Sequence, residues 1–273
     1  MSLAAPAFGG LLRRWRQHRG LTQMALALDA EVSTRHLSFL ESGKAEPSRA
    51  MVLRLAERLD LPLRERNAWL VAAGFAPMYR ERPLTDPGFA PAQRALQRLL
   101  DAHEPAPALA VDRHWQLVAA NRMVALLTEG VSPDLLQPPL NVLRLSLSPE
   151  GLAPRIRHFA AWRHHVLERL QRQWAASADP VLHGLLQELR GLPLPAGTAA
   201  ESDVPPAAFD DVAVPLELDG PHGRLRFLTT ITVFGAPHDV TLSELAVETL
   251  LPADPATADA LKRLQRAASE RTG

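Results

Sequence analysis

The chain contains no cysteine, which excludes disulfide bonds, thiolate metal ligands and cysteine nucleophiles. It also has no apolar run of the roughly 20 residues that a membrane-spanning helix needs. The N-terminal segment lacks the charged start and the long apolar stretch of a secretory signal. These absences predict a cytoplasmic protein that has no membrane partner.

Motifs typical of catalytic sites are missing as well. The sequence has no GxSxG, P-loop, GxGxxG or HExxH pattern. His158 and His165 could share a helix face, but no carboxylate at metal-ligand spacing accompanies them. Asp210 and Asp211 are adjacent, so on a strand their side chains would point to opposite faces. We therefore expect no catalytic residue, no metal site and no cofactor.

Lysine is scarce, and the charge is unevenly divided. Lys44 and Lys262 are the two lysines, so arginine supplies most of the positive charge. Residues 1–80 hold 12 Lys and Arg against 7 Asp and Glu, whereas the remainder holds 18 against 23. A basic block beside an acidic block suggests an anionic partner, such as nucleic acid, for the first block. Ordinary variation in domain charge is the alternative interpretation.

Residues 9–79 have the pattern of five short helices. Apolar residues recur at helical spacing, as in GGLLRRWRQHR, with Leu11, Leu12 and Trp15. Thr22 and Ser33 are of the type that caps a helix N-terminus, and Pro47-Ser48 opens the fourth helix. Glycines that favour a helix end follow the first, third and fifth segments, namely Gly20, Gly43 and Gly74. The first part of the chain is therefore predicted to be all-helical.

The rest of the chain mixes strands with helices. PALAVDRHWQLVAAN predicts two strands around Asp112-Arg113, and VAVPLEL and RLRFLTTITVF predict a hairpin around DGPHG. LAPRIRHFAAWRHHVLERLQRQWAAS is the longest helical pattern, and LSELAVETLL suggests one more strand. The predicted fold class is α plus α+β, with an antiparallel sheet covered by helices. We expect a domain at 1–76, a linker at 77–91, a second domain at 92–254 and a polar tail at 255–273 that forms a mobile helix.

GLTQMALALDAEVSTRHLSFLESGKAEPS resembles the helix-turn-helix of phage-repressor-like regulators, the XRE family, over about residues 9–74. A recognition helix must bury one face on its own domain and present a polar face to the major groove. Leu37 and Leu40 suit the buried face. Arg35 suits a bidentate contact to guanine, and Phe39 suits contact with a thymine methyl group. The candidate DNA-facing residues of this helix are Ser33, Thr34, Arg35, Ser38 and Phe39.

The resemblance implies further roles. It places Gln23 on a DNA phosphate at the start of its helix. It also pairs Arg16 with Glu41 as a structural salt bridge. The turn at Gly43-Lys44 suits a second phosphate, through backbone N–H groups and the Lys44 charge.

Each of these residues also has a reading without DNA. Ser33 caps its helix with or without DNA. Arg35 and His36 could be ordinary solvent-exposed side chains, and Phe39 could pack on a neighbouring helix or a dimer partner. A helix-turn-helix can also dock a protein.

Residues 105–254 resemble the C-terminal domain of MmyB-like regulators, a PAS-like ligand-binding fold. The resemblance is carried by PALAVDRHWQLVAAN, PPLNVLRLSLSPEGL, FAAWRHHVLERL and VFGAPHDVTLSELAVETLLPAD. It implies a small hydrophobic ligand, such as a fatty acid, between sheet and helices. Arg144 and His165 are candidates for holding a carboxylate, Trp162 for the apolar wall, and Asn121 for the pocket or for a helix cap. Ordinary core packing is the alternative for Trp162.

Together the two resemblances predict a sequence-specific transcription regulator. We expect a homodimer on double-stranded DNA, reading two half-sites, whose second domain senses the ligand. The alternative is an adaptor that uses its helix-turn-helix to dock a protein. Salt dependence separates the two, because phosphate contacts make affinity fall steeply with salt.

Overall fold

The computed structural model describes residues 7–195, 215–234 and 239–270. These residues form two compact units. The helical unit contains residues 7–83, 175–178 and 239–243. The sheet unit contains residues 84–174, 179–195, 215–234 and 244–270. Asp210 and Asp211 lie outside the described residues, as do the first three residues of VAVPLEL.

The helical unit begins with five helices, as the sequence predicts. They are α1 (Phe8–His18), α2 (Gln23–Asp29), α3 (Thr34–Glu41), α4 (Arg49–Arg58) and α5 (Leu63–Ala72). The predicted N-caps Thr22 and Ser33 are confirmed, and Ser48 caps the helix that it was predicted to open. Each hydroxyl group accepts a hydrogen bond from the backbone N–H three residues later, at 3.1, 3.1 and 3.2 Å. Local capping therefore fixes where α2, α3 and α4 start.

One apolar core joins the five helices. Leu26, Leu37, Leu40, Leu55 and Trp69 are each at most 1% exposed. They come from α2, α3, α4 and α5, and α1 adds Leu12 and Trp15. Burying one face of each short helix supplies the stability that helices of this length lack alone.

The described part of the sheet unit has further helices and strands before its hairpin; Val142–Leu147 is a helix that the sequence analysis did not predict, and the longest helix starts at Phe159 rather than at Leu152. These helices and strands are α6 (Ala90–Ala102), β1 (Ala108–Val111), β2 (Leu117–Ala120), α7 (Arg122–Leu127), α8 (Val142–Leu147), α9 (Phe159–Ser177) and α10 (Pro180–Gly191). Within the predicted linker, Pro87–Phe89 forms a short 3-10 turn and Ala90 already starts α6. Phe89 is 1% exposed, so this end of the linker is part of the fold.

The strands form one antiparallel sheet of five, in the order β2-β1-β5-β4-β3. The predicted hairpin is β3 (Leu216–Gly220) and β4 (Gly223–Val233), with Leu216 opposite Phe227. LSELAVETLL is only partly a strand: Val240–Ser243 forms a helical turn, α11, and β5 spans Ala246–Pro252. The core beneath the sheet includes Val111, Phe227, Leu250, Trp162 and Leu186.

The segment from Pro255 is helical, as predicted, but it packs on the sheet unit instead of being mobile. It forms α12 (Pro255–Glu270), whose Leu261 is 1% exposed within the core of the sheet unit. The Thr257 hydroxyl accepts a hydrogen bond from the Arg226 N–H of β4 at 3.0 Å. Among the apolar residues of this helix, Ala260 and Leu261 are the ones buried in the core of the sheet unit, at 7% and 1% exposed.

Candidate functional site

The α3 helix divides its residues between core and solvent as a recognition helix requires. Leu37 is fully buried and Leu40 is 1% exposed. Ser33, Thr34 and Arg35 are exposed, and Ser38 and Phe39 are half-buried. All five candidate DNA-facing residues therefore reach the surface of the unit, on or just before one short helix.

Arg35 and Phe39 form a stacked pair on α3. The guanidinium carbon of Arg35 lies 5.3 Å from the centre of the Phe39 ring, within cation–π range. Residues four apart on a helix are neighbours, so the pair is held by the helix itself. Phe39 is thus turned toward Arg35, and the pair presents a donor fork beside an apolar ring.

Three side chains tie α1 and α2 to the end of α3. The Arg16 guanidinium donates to both Glu41 carboxylate oxygens, at 2.5 and 3.1 Å, so the ion pair that the resemblance implies is present. The Gln23 amide donates to the same carboxylate at 2.7 Å. The side chains of Arg16 and Glu41 are only 11% and 4% exposed. An amide nitrogen carries two hydrogens, so Gln23 keeps one donor for another acceptor.

The charge state of this network follows from its surroundings. Burial alone would raise the pKa of Glu41, but the hydrogen bonds from Arg16 and Gln23 and the charges of Arg16 and Arg13 outweigh it. The pKa of Glu41 therefore lies below its ordinary value. The carboxylate stays ionised and keeps Arg16 and Gln23 in place at neutral pH.

The backbone N–H groups of the turn after α3 were expected to bind a DNA phosphate, but they have partners within the protein. The N–H groups of Lys44 and Ala45 both donate to the Phe39 carbonyl, at 2.8 and 3.2 Å, and that of Gly43 donates to Leu40. These N–H groups already donate within the turn, so the expected hydrogen bonds from the backbone to a phosphate are not available. The exposed Lys44 ammonium group is what the turn presents to solvent.

Two of the four predicted ligand residues, Asn121 and Arg144, make their hydrogen bonds with other groups of the protein. Asn121 is 2% exposed, and its amide donates to the Leu100 and Ala106 carbonyls while accepting the Ala108 N–H. It makes no side-chain cap bond to α7, so the expected cap is wrong. Arg144 donates to both carboxylate oxygens of Glu188, at 2.6 and 2.7 Å, which lowers the pKa of Glu188.

The other two predicted ligand residues lie together on α9. Trp162 is 4% exposed in the core, and its indole N–H donates to Ser146 at 2.9 Å. The His165 ring lies 5.7 Å from the Trp162 ring. Burial and the charges of Arg169 and Arg172 lower the pKa of His165. His165 is therefore neutral near pH 7 and has no charge to offer a carboxylate.

The sheet unit contains a hollow that none of these four residues lines. Its enclosed volume is only about 10 Å³, about the space that one water molecule needs, and the rest of the depression is open to solvent. The walls come from α7, the β3–β4 hairpin and α12. The apolar lining includes Met123, Leu126, Leu127, Leu218, Leu225, Leu261 and Leu264, and Arg155 and His222 also border it.

Arg155 is fixed at the edge of this hollow. Its Nε donates to the Asp219 carbonyl, and its Nη1 donates to the Leu127 and Glu129 carbonyls, at 2.8 to 3.0 Å. Its Nη2 makes no hydrogen bond with a described residue and lies where a side chain on Gly220 would stand. Burial lowers the pKa of Arg155. The group still stays charged, because the ordinary pKa of arginine lies far above neutral pH. His222 pairs with Glu129 at 3.1 Å.

Sequence reasoning missed Arg155 and His222 as site residues. The DGPHG turn signals a hairpin, and the structure confirms one, but nothing local shows what the turn faces. Within the described parts of the chain, no group of three or more His, Asp or Glu residues is placed to hold a metal ion. None of the helices in those parts is long and apolar enough to cross a membrane.

Comparison with known families finds a matching family model for each of these two units. The family model described as MmyB-like transcription regulator ligand binding domain matches residues 92–264. The chain belongs to the MmyB-like transcription regulators. A model described as Helix-turn-helix domain matches residues 7–69 of this MmyB-like regulator. No curated protein matches the chain.

The matches confirm the resemblance and the fold class predicted from the sequence. The MmyB-like regulator combines a helix-turn-helix domain with a ligand-binding domain, and neither matched model describes an enzyme. Its ligand-binding match extends through residue 264, into α12. This agrees with the burial of Leu261 rather than with a free tail.

Proposed function

We propose that this MmyB-like regulator reads a specific DNA sequence with the outer face of α3, as a homodimer on two half-sites in the cytoplasm. The observation that supports this most directly is the pair formed by exposed Arg35 and half-buried Phe39, on a helix whose opposite face is buried through Leu37 and Leu40. A guanidinium fork matches the O6 and N7 acceptors of guanine, and an adjacent apolar ring suits a thymine methyl group. Gln23 and Lys44 act on phosphates and set the register.

Replacing Arg35 with alanine tests base reading. We expect preference at one base pair of the selected motif to disappear and specific affinity to fall by about 10- to 100-fold, since a bidentate contact contributes about 1–3 kcal/mol of discrimination. Binding to scrambled DNA should change far less. The measurement is selection from random duplexes followed by titration with the selected motif.

Arg14→Ala is the matched control, because it removes the same charge from an exposed residue of α1. It should leave the selected motif unchanged. If Arg35→Ala selects the same motif as the wild type, Arg35 does not read a base.

We also propose that the sheet unit binds a small hydrophobic ligand, such as a fatty acid, at the hollow beside α7, whose walls must separate to admit it. The apolar lining suits a hydrocarbon chain, and a few convergent polar groups are what orients such a ligand. Arg155 keeps a charged group with free Nη2 hydrogens at the edge, which suits a carboxylate. Arg144 suits this role less because Glu188 already neutralises it, and His165 suits it less because it is neutral.

Filling the hollow tests this assignment. Leu126→Trp adds an indole to its lining, whereas Ala125→Trp places the same group on an exposed position of α7. With a fluorescent fatty acid as the probe, we expect Leu126→Trp to weaken binding at least about tenfold, which is about 1.4 kcal/mol. Ala125→Trp should bind as the wild type does.

Thermal unfolding shows whether Leu126→Trp is folded, and native mass spectrometry shows whether a lipid co-purifies with each variant. Equal probe affinity in all three proteins would place the ligand elsewhere. The four predicted residues Asn121, Arg144, Trp162 and His165 would then be the next positions to substitute.

The two activities would be connected by linkage. A ligand changes DNA affinity only through its different affinities for the DNA-competent and incompetent arrangements of the protein. We propose that the conformational change occurs in the predicted linker, residues 77–91, at its part before the turn Pro87–Phe89. The expected observation is that ligand shifts the DNA dissociation constant and DNA shifts the ligand dissociation constant by the same factor.

A further inference from the structure

One side of α1 lies directly on the C-terminal turn of α3. A Cβ atom on Gly9 would stand 2.4 Å from the Leu40 carbonyl oxygen and 2.6 Å from that of Glu41. Two turns later, Arg16 donates to the Glu41 carboxylate. This side of α1 therefore follows the end of the recognition helix from Gly9 to Arg16.

Arg13 occupies the same side of α1. It is four residues after Gly9 and three before Arg16, and such positions share one helix face. The charge of Arg13 lowers the pKa of Glu41, which agrees with this placement. The side chain is exposed and makes no hydrogen bond or salt bridge with a described residue. Arg13 thus has no structural partner in the part of the chain that the structure describes.

Arg14 differs from Arg13 only in direction. It is also exposed and also without a hydrogen bond or salt bridge among the described residues. With 3.6 residues per turn, it points about 100° further round the helix, away from Gly9 and Arg16. The two neighbouring arginines therefore carry the same charge on different faces.

The charged residues around Glu41 carry a net positive charge at the exposed side of α1. Arg16 neutralises Glu41 through two hydrogen bonds, so Arg13 adds one uncompensated positive charge next to the pair. Gln23 already gives one amide hydrogen to Glu41 and keeps the second. A cation and a free amide donor beside one recognition helix are the groups that bind a DNA phosphate.

We propose that Arg13 binds a phosphate of the DNA backbone at the end of α3, next to the phosphate held by Gln23. This rests on the proposed DNA-binding function and adds a residue of α1 to its interface. The contact is to the backbone, so it strengthens binding to every sequence and fixes the register of α3 without reading a base.

Titration against salt measures the contact. The probes are a fluorescent duplex carrying the selected motif and one of scrambled sequence. Each phosphate neutralised contributes about 0.9 to the slope of log affinity against log salt. We expect Arg13→Ala to reduce the slope by about 1 on both duplexes and to weaken binding about five- to tenfold at about 0.1 M salt. Arg13→Lys keeps a charge that can reach a phosphate and should restore most of the slope.

Arg14→Ala is the control that separates contact from general charge. It should leave the slope within error of the wild type. If Arg13→Ala and Arg14→Ala reduce the slope equally, or if neither does while the wild type shows a steep slope, the proposed contact is wrong and DNA binding stands. A wild-type protein that shows no salt-dependent affinity for either duplex overturns the DNA-binding function together with this site.

Discussion

Gly9→Ala is expected to destabilise the helical unit by about 2–3 kcal/mol, because a well-packed position has no room for the added methyl group. The new Cβ would meet two backbone carbonyl oxygens, of Leu40 and Glu41, at 2.4 and 2.6 Å. Backbone atoms cannot rotate aside as a side-chain end can. Either α1 or the last turn of α3 must shift, and both carry the proposed DNA contacts.

Gly10 provides a control in the same helix. A Cβ atom on Gly10 would meet nothing within 4 Å. Gly10→Ala should therefore stabilise the unit by about 0.5–1 kcal/mol, because alanine restricts the unfolded chain and favours a helix. Denaturant unfolding followed by helical circular dichroism measures both variants.

Opposite signs from the two neighbouring glycines are the result to look for. Equal effects would mean that α1 does not lie against α3 as the structure has it. DNA titration at a temperature well below the unfolding midpoint then shows whether Gly9→Ala also weakens binding. We expect that it does, since the shift occurs at the end of the recognition helix.

The helical unit could be predicted almost fully from its sequence because its signals are local. Thr22, Ser33 and Ser48 cap helices through bonds to residues three positions away. Leu37 and Leu40 are buried as their spacing indicates. What the sequence could not show is the close approach of Gly9 to α3, since that distance depends on how two helices cross.

The strands of the sheet unit could be predicted from the sequence, but their order and their tertiary contacts could not. Alternating apolar residues and the DGPHG turn indicate strands and a hairpin, which the structure confirms. The strand order and the neighbours of the hairpin depend on contacts far apart in the chain. Arg155 holds carbonyl groups of residues 127, 129 and 219, and no spacing rule connects those positions.

Side-chain roles were misjudged for the same reason. Asn121 precedes a helix, so capping is the local inference, but its amide instead joins three backbone groups between Leu100 and Ala108. Arg144 meets Glu188, which is 44 residues away. The helix of the tail was predicted but its packing was not, because Leu261 is buried by the sheet unit and not by a pattern within its own helix.

Glu41→Ala is expected to cost about 3 kcal/mol of stability in the helical unit, since removing one partner of a buried ion pair leaves the other charge uncompensated. The Arg16 side chain is 11% exposed and would lose both of its carboxylate bonds, keeping one to the Leu21 carbonyl. Gln23 would lose its partner as well. Glu46→Ala is the matched control, because Glu46 is exposed and forms no ion pair with a described residue. It should change stability by less than about 0.5 kcal/mol.

The pH dependence distinguishes the ion pair from packing. The folded-state pKa of Glu41 lies below its ordinary value of 4.5, so its contribution is fully present above that value and is lost as pH falls through the folded pKa. The Arg16 pKa is raised by its hydrogen bond with Glu41, so Arg16 stays charged throughout this range. The stability gap between wild type and Glu41→Ala should therefore be constant near neutral pH and shrink on acidification. A gap that keeps its size at acid pH would assign the effect to lost packing. The ionised Glu41 carboxylate would then not be what holds Gln23 in place.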